Sequence, residues 1–126
     1  MKLRIFVSCG VILGALVAAI PVLAHHSFAA EYDSTKPVKL TGNVTRVDWQ
    51  NPHAYFYIDV KNPETGRVEN WAFEMGAPSV IARQGWTKTT LKIGDVIIVE
   101  GTRAKDGGTH GNARSVYMGS PAGSRI

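Results

Sequence analysis

The sequence predicts an all-β domain: a small barrel of five short strands with one helix inserted after the third. Three observations carry this. Apolar and polar residues alternate at period two through much of the chain after Pro37, and clusters of Asn, Pro, Gly and Asp interrupt the alternation at short intervals. Only one stretch, Ala77 to Gly85, carries helix punctuation, with Pro78 near its start and Gly85 at its end. At 126 residues the chain is long enough for one compact domain and too short for two, which excludes a multi-domain enzyme.

The first segment is not part of that fold. Ile5 to Ala24 is an almost uncharged apolar run behind Lys2 and Arg4, the order of an export signal. It contains Gly10, Gly14 and the helix-stopping Pro21, then closes on Val22-Leu23-Ala24, a small-residue cleavage site. A cut after Ala24 makes residues 1–24 a signal peptide, exports the domain to the periplasm and leaves His25 as the mature N-terminus. A cut after Ala29 would discard His25 and His26, and an uncleaved run would remain as a membrane anchor. Cleavage after Ala24 is the expectation, because that site directly follows the apolar run. Loss of the leader removes Lys2 and Arg4 and no acidic residue, so the net charge falls from +4 to +2. The single cysteine, Cys9, leaves with it, so the mature chain has no disulfide, thiolate ligand or Cys nucleophile.

Residues 25–36 have no lasting period and read as an N-terminal arm ending at Pro37. The barrel is expected over residues 37–118. Its first strand, Val38 to Trp49, is rich in β-branched residues. Val44 and Val47 differ in parity, so a bulge or bend must separate them, and Gly42 offers a point of sharp curvature. After the turn at Asn51-Pro52, the second strand sends Ala54, Phe56, Ile58 and Val60 to the core and His53, Tyr55, Tyr57 and Asp59 to the opposite face. Asn62-Pro63-Glu64-Thr65-Gly66 forms a hairpin loop into the third strand, Val68 to Met75. There Trp71, Phe73 and Met75 share one face, and Asn70 and Glu74 the other. Ala77 to Gly85 reads as a helix of about two turns. The turn Leu91-Lys92-Ile93-Gly94-Asp95 leads to a fourth strand, Val96 to Glu100, and the polar loop Lys105 to Asn112 leads to a fifth, Ala113 to Met118. Residues 119–126 read as a flexible tail. This element order is that of an OB-like Greek-key barrel with its helix between strands three and four; a β-sandwich or an open five-stranded sheet has the same content.

With no thiol, chemistry falls to histidines, carboxylates and aromatics. A mature N-terminal His25 places an α-amine, of pKa about 7.7 to 8.0, and an imidazole on one residue, a chelate for a divalent transition metal, with copper first on intrinsic affinity. His26, His53 and His110 are the other imidazoles available, and Glu74 is a candidate oxygen ligand or an acceptor that orients a ring. The plainer readings are a solvated arm for His25 and His26, a strand-end hydrogen bond for His53 and a loop position for His110. Met75 and Met118 are soft donors, at positions where methionine ordinarily fills a core. A second constellation is a ligand face of Asn51, Tyr55, Tyr57, Trp49 and Trp71, able to stack a sugar, base or peptide side chain; the plainer reading is that these rings cover a small barrel. Nucleic acid is not expected, because the charge of +2 is dispersed among acidic neighbours rather than gathered in a stripe. Membrane contact is expected only during export. No nucleophile elbow, HExxH pair, glycine-rich phosphate loop or zinc spacing occurs, so no catalytic role is expected, and Glu74 with Asp48 or His53 is generic acid–base material.

Four elements occur together and in order: His25-His26-Ser27-Phe28, Asn51-Pro52-His53-Ala54, Trp71-Ala72-Phe73-Glu74 and Leu91-Lys92-Ile93-Gly94-Asp95. On these, over essentially the whole mature chain, the sequence resembles a family of small exported bacterial proteins known only as a domain of unknown function. The resemblance implies export, one all-β OB-like domain and no established activity, cofactor or partner. Members place the HHSF element directly after the leader, which favours cleavage after Ala24. The positions that match the pattern are His25, His26, Asn51, His53, Trp71 and Glu74. The expected function is a periplasmic binding protein that holds a transition metal such as copper through His25 and other histidines. The alternative is a module binding a non-metal ligand or another periplasmic protein on its aromatic face, and a small enzyme stands third.

Overall fold

The computed structural model describes residues 28–119 and 126. The chain divides at Tyr32 into two units. Residues 28–31, the described part of the first, are helical. The expected signal peptide, His25 and His26 lie outside the described residues. Among the described residues no helix is long and apolar enough to cross a membrane.

The second unit is the expected OB-like barrel. Strands β1 (Tyr32–Asp48), β2 (Tyr55–Lys61), β3 (Val68–Glu74), β4 (Val96–Ala104) and β5 (His110–Met118) close in the order β1-β2-β3-β5-β4, and helix α1 (Pro78–Ala82) lies between β3 and β4. Every pairing is antiparallel except β3 with β5. A parallel pair needs a long crossover, and the connection through α1 and β4 supplies it. Alternation on β2 works as the sequence requires: Phe56 and Ile58 are fully buried, and Val60 nearly so. Phe73 stacks on Phe56 at 5.5 Å between centroids and on Trp71 at 6.0 Å, and Ile97 and Val99 complete the centre. Ile81 of α1 and Leu91 beyond it are buried against this cluster.

The conflict of parity in β1 is resolved by an irregularity between Val44 and Arg46, where the pairing with β2 shifts register. Val44 is thereby buried while Val47 packs against the same core. At Gly42 a β-carbon would stand 2.5 Å from the Asp59 carbonyl oxygen, so β1 can cross β2 this closely only at glycine.

Several boundaries differ from expectation. β1 begins at Tyr32 rather than Val38, so residues 32–36 of the expected arm are strand. Pro37 does not end the strand; the pairing with β4 is irregular between Tyr32 and Pro37 and resumes there opposite Thr102, an arrangement that tolerates a residue without an N–H. Helix α1 has five residues rather than two turns: no side chain caps its start, and the chain leaves helical geometry towards Gly85, whose φ is 93°. β4 runs past Glu100 to Ala104, and β5 starts at His110 rather than Ala113. A register shift between Glu100 and Gly101 breaks the alternation, which hid the paired residues beyond it. Of the expected flexible tail, Gly119 donates its N–H to Val96 at 2.7 Å and Ile126 to Val116 at 2.9 Å; residues 120–125 lie outside the described residues.

Candidate functional site

Asn51-Pro52-His53-Ala54 and Trp71-Ala72-Phe73-Glu74 are far apart in sequence and adjacent in space. The Ala54 N–H donates to the Gly76 carbonyl at 3.1 Å, the Met75 N–H donates to the Ala54 carbonyl at 2.8 Å, and Tyr55 stands in register with Glu74. These bonds hold the backbones of His53 and Glu74 side by side at the start of β2 and the end of β3. The Asn51–Pro52 peptide in the preceding turn is cis.

Glu74 falls on the outward parity of β3 and is nevertheless only 7% exposed, the one buried charged residue among those described. Two side chains cover it. Tyr32, the first residue of β1 and 4% exposed, donates its hydroxyl to Oε2, and Nδ1 of His53 meets Oε1. Removing a carboxylate from water is costly unless donors replace the lost hydration, and here each oxygen has one. Among the described residues no buried side-chain N or O lacks a hydrogen-bond partner.

Where the carboxyl is ionised it only accepts, and the proton of this contact then belongs to Nδ1 of His53. A neutral ring then bears its lone pair on Nε2, and the His53 side chain is 49% exposed. A half-exposed imidazole with one nitrogen tied to a carboxylate is suited to ligating a metal or accepting a proton through the other.

His110 is placed elsewhere. It opens β5 rather than sitting in the loop, level with Ala72 across the parallel pairing, whereas His53 precedes β2. Its Nε2 lies 3.1 Å from both carboxylate oxygens of Asp106. The Gly108 N–H, and then the His110 ring, hold the Asp106 carboxyl below its ordinary range. The Arg103 guanidinium ties this loop together through the Gly107 and Gly108 carbonyls. Among the described residues, no three His, Cys, Asp or Glu side chains are grouped so as to hold a metal ion.

The expected aromatic face is narrower than its sequence list. Trp71 is a correction: it is 5% exposed within the core cluster, because its parity is that of Phe73 and Met75. Its indole N–H reaches Glu69 at 3.4 Å, and Arg103 lies 5.2 Å from its ring. Trp49 is partly buried against the same cluster. Tyr55 and Tyr57 do lie half-buried on the outer side of β2, and Asn51 is exposed in the turn before it. The Arg46 guanidinium sits 3.8 Å over the Tyr57 ring and pairs with Asp48 at 3.0 Å. Hydrogen bonding to Tyr57, and then the Asp48 charge, hold that guanidinium above its ordinary pKa. Met75 is buried in the core cluster, and Met118 is partly buried against it.

Tyr32 is the member of the site that sequence reasoning missed. It lies in a stretch without period, and its partner is 42 residues away, so only the closed barrel reveals the pair.

Among solved structures, the mitochondrial single-stranded DNA-binding protein Rim1 from S. cerevisiae is similar, with a TM-score of 0.52 and 9% identity over 68% of this chain and 94% of that one. At that identity the likeness concerns the fold alone. No curated protein matches the chain. A family described as "Family of unknown function (DUF6152)" matches residues 14–113.

Proposed function

The chain belongs to that family of unknown function, and we propose that it is an exported periplasmic binding protein which holds one transition-metal ion, copper first, through Nε2 of His53 and the amine and imidazole of a mature N-terminal His25. One observation supports the reading above others: the contact of Glu74 with Nδ1 of His53. Metal-ligating histidines almost always donate their second ring N–H to such an acceptor, which fixes the tautomer and raises ligand basicity. Imidazole and amine nitrogens suit copper, nickel and zinc, and copper leads in intrinsic affinity. His26 is the remaining imidazole beside the proposed terminus, while His110, which opens β5 rather than standing in the turn before β2, is left out of the proposed set.

The test is a competition titration of protein beginning at His25 against a chelator of known copper affinity. Parent protein binds one equivalent; His25→Ala and His53→Ala each weaken binding more than tenfold, and Glu74→Gln by about 10- to 100-fold. Equal affinity in parent and His53→Ala would place copper elsewhere.

A second reading places a non-metal ligand on the outer side of β2 at Tyr55 and Tyr57. The Arg46 guanidinium over Tyr57 favours it, since an aromatic ring with a cation on one side is a ready site for an anionic or planar group. Ligand binding that survives a chelator and is lost in Tyr57→Ala would select this reading.

A further inference from the structure

Glu74 alone does not explain why its carboxylate faces His53 as it does. A glutamate at the end of a strand has rotatable bonds enough to turn either oxygen, or neither, towards a neighbouring ring. What removes that freedom is Tyr32, whose hydroxyl donates to Oε2 while Oε1 meets Nδ1 of His53. Tyr32 is itself set by the barrel: it is 4% exposed and stands in register with Ala104 of β4, the strand that closes the sheet onto β1. The order of placement therefore runs from the β1–β4 pairing to Tyr32, from Tyr32 to Glu74, and from Glu74 to His53.

We propose that Tyr32 is a positioning residue that, through Glu74, decides which nitrogen of His53 the protein presents. With Tyr32 in place, Glu74 accepts from Nδ1–H, and the lone pair stands at Nε2. The site thus takes a ligand that needs an Nε2 donor in a fixed direction: a borderline transition-metal ion rather than a hard cation that seeks oxygen. This rests on the metal reading for its consequence but not for its geometry, which concerns the protein without metal.

The test uses 15N-histidine-labelled protein free of metal, with the His53 ring assigned by its absence in His53→Gln. Ring 15N shifts report which nitrogen carries the proton. In the parent, His53 shows a protonated Nδ1 and an unprotonated Nε2. Tyr32→Phe, which keeps the ring and deletes the hydroxyl, shifts the population towards the Nε2-protonated tautomer while cross-strand contacts of β1 with β4 persist. Glu74→Gln is the second variant, because its amide can donate to Nδ1 and drive the same shift further with Tyr32 intact. A merely structural role for Tyr32 would lower stability and leave the tautomer unchanged in whatever remained folded. That result, or a parent His53 protonated at Nε2, would overturn the assignment. Copper affinity is read separately: about a tenfold or greater loss in Tyr32→Phe is expected. Protein that takes up no copper yet shows the tautomer shift would refute the metal reading and leave the role of Tyr32 standing.

Discussion

Among the described residues two carboxylate–histidine pairs occupy this barrel, and they differ in the features that separate a site from a surface contact. Glu74 is buried, is shared between two donors and meets His53 at Nδ1. Asp106 has a side chain 68% exposed, lies in the loop just before the strand that its partner opens, and meets His110 at Nε2. The first pair joins the turn before β2 to the end of β3 and is met by a third residue from the start of β1; the second joins a loop to the strand that directly follows it. An exposed pair gains little over hydration, whereas a buried carboxylate must keep its donors or pay heavily. The difference teaches that the chemistry of the pair is set by what covers the carboxylate, not by the residue types, which are nearly the same.

The comparison is broken most directly by removing each carboxylate. Glu74→Ala leaves the Tyr32 hydroxyl buried without its acceptor, and a loss of about 2–3 kcal/mol is expected. Asp106→Ala leaves the urea midpoint unchanged within error. Equal effects would mean that the two pairs are of one kind. A smaller loss, about 1–2 kcal/mol, is expected of Tyr32→Phe, since one hydrogen bond to a charged group is deleted and little volume is lost. The same urea series checks it, with an unchanged midpoint as the contrary result.

The copper titration sharpens the comparison on its functional side: His110→Ala retains parental affinity, and a tenfold loss there would bring β5 into the site. The smallest effect concerns pH. The Asp106 carboxyl is held below its ordinary value of 3.8, first by the Gly108 N–H and then by His110. Its contribution is therefore complete above that value and is lost as the pH falls through the lower folded value. The protection factor of the Gly108 amide, its exchange rate set against that of a free peptide at the same pH, should fall only in that acid range, and Asp106→Asn should abolish the dependence.

Much of the barrel was legible in the sequence, because a strand with one face on the core must alternate. β2 announced its buried set outright, and the parity clash of Val44 with Val47 announced the irregularity in β1. The β4–β5 boundaries were hidden for the same reason, since the register shift at Gly101 resets the alternation on which the reading depends. Of the site, His53 and Glu74 were visible as residue types within two motifs, and Glu74 as an acceptor able to orient a ring. Their meeting was not, because it depends on the pairing of β2 with β3. Tyr32 carried no local signal at all: its significance comes from the closure of β1 on β4. Trp71 shows the converse error, in which residue type suggested a ligand face while the parity of the same strand had already assigned the ring to the core.

The most direct measurement is the native mass spectrum of protein expressed from the full chain, after one equivalent of copper, recorded beside His53→Ala. The account predicts a parent chain that begins at His25 and retains one copper, and a His53→Ala chain of the same start that retains none under the same conditions. Equal copper retention by both, or a parent chain that begins at His25 and keeps no metal, would contradict it.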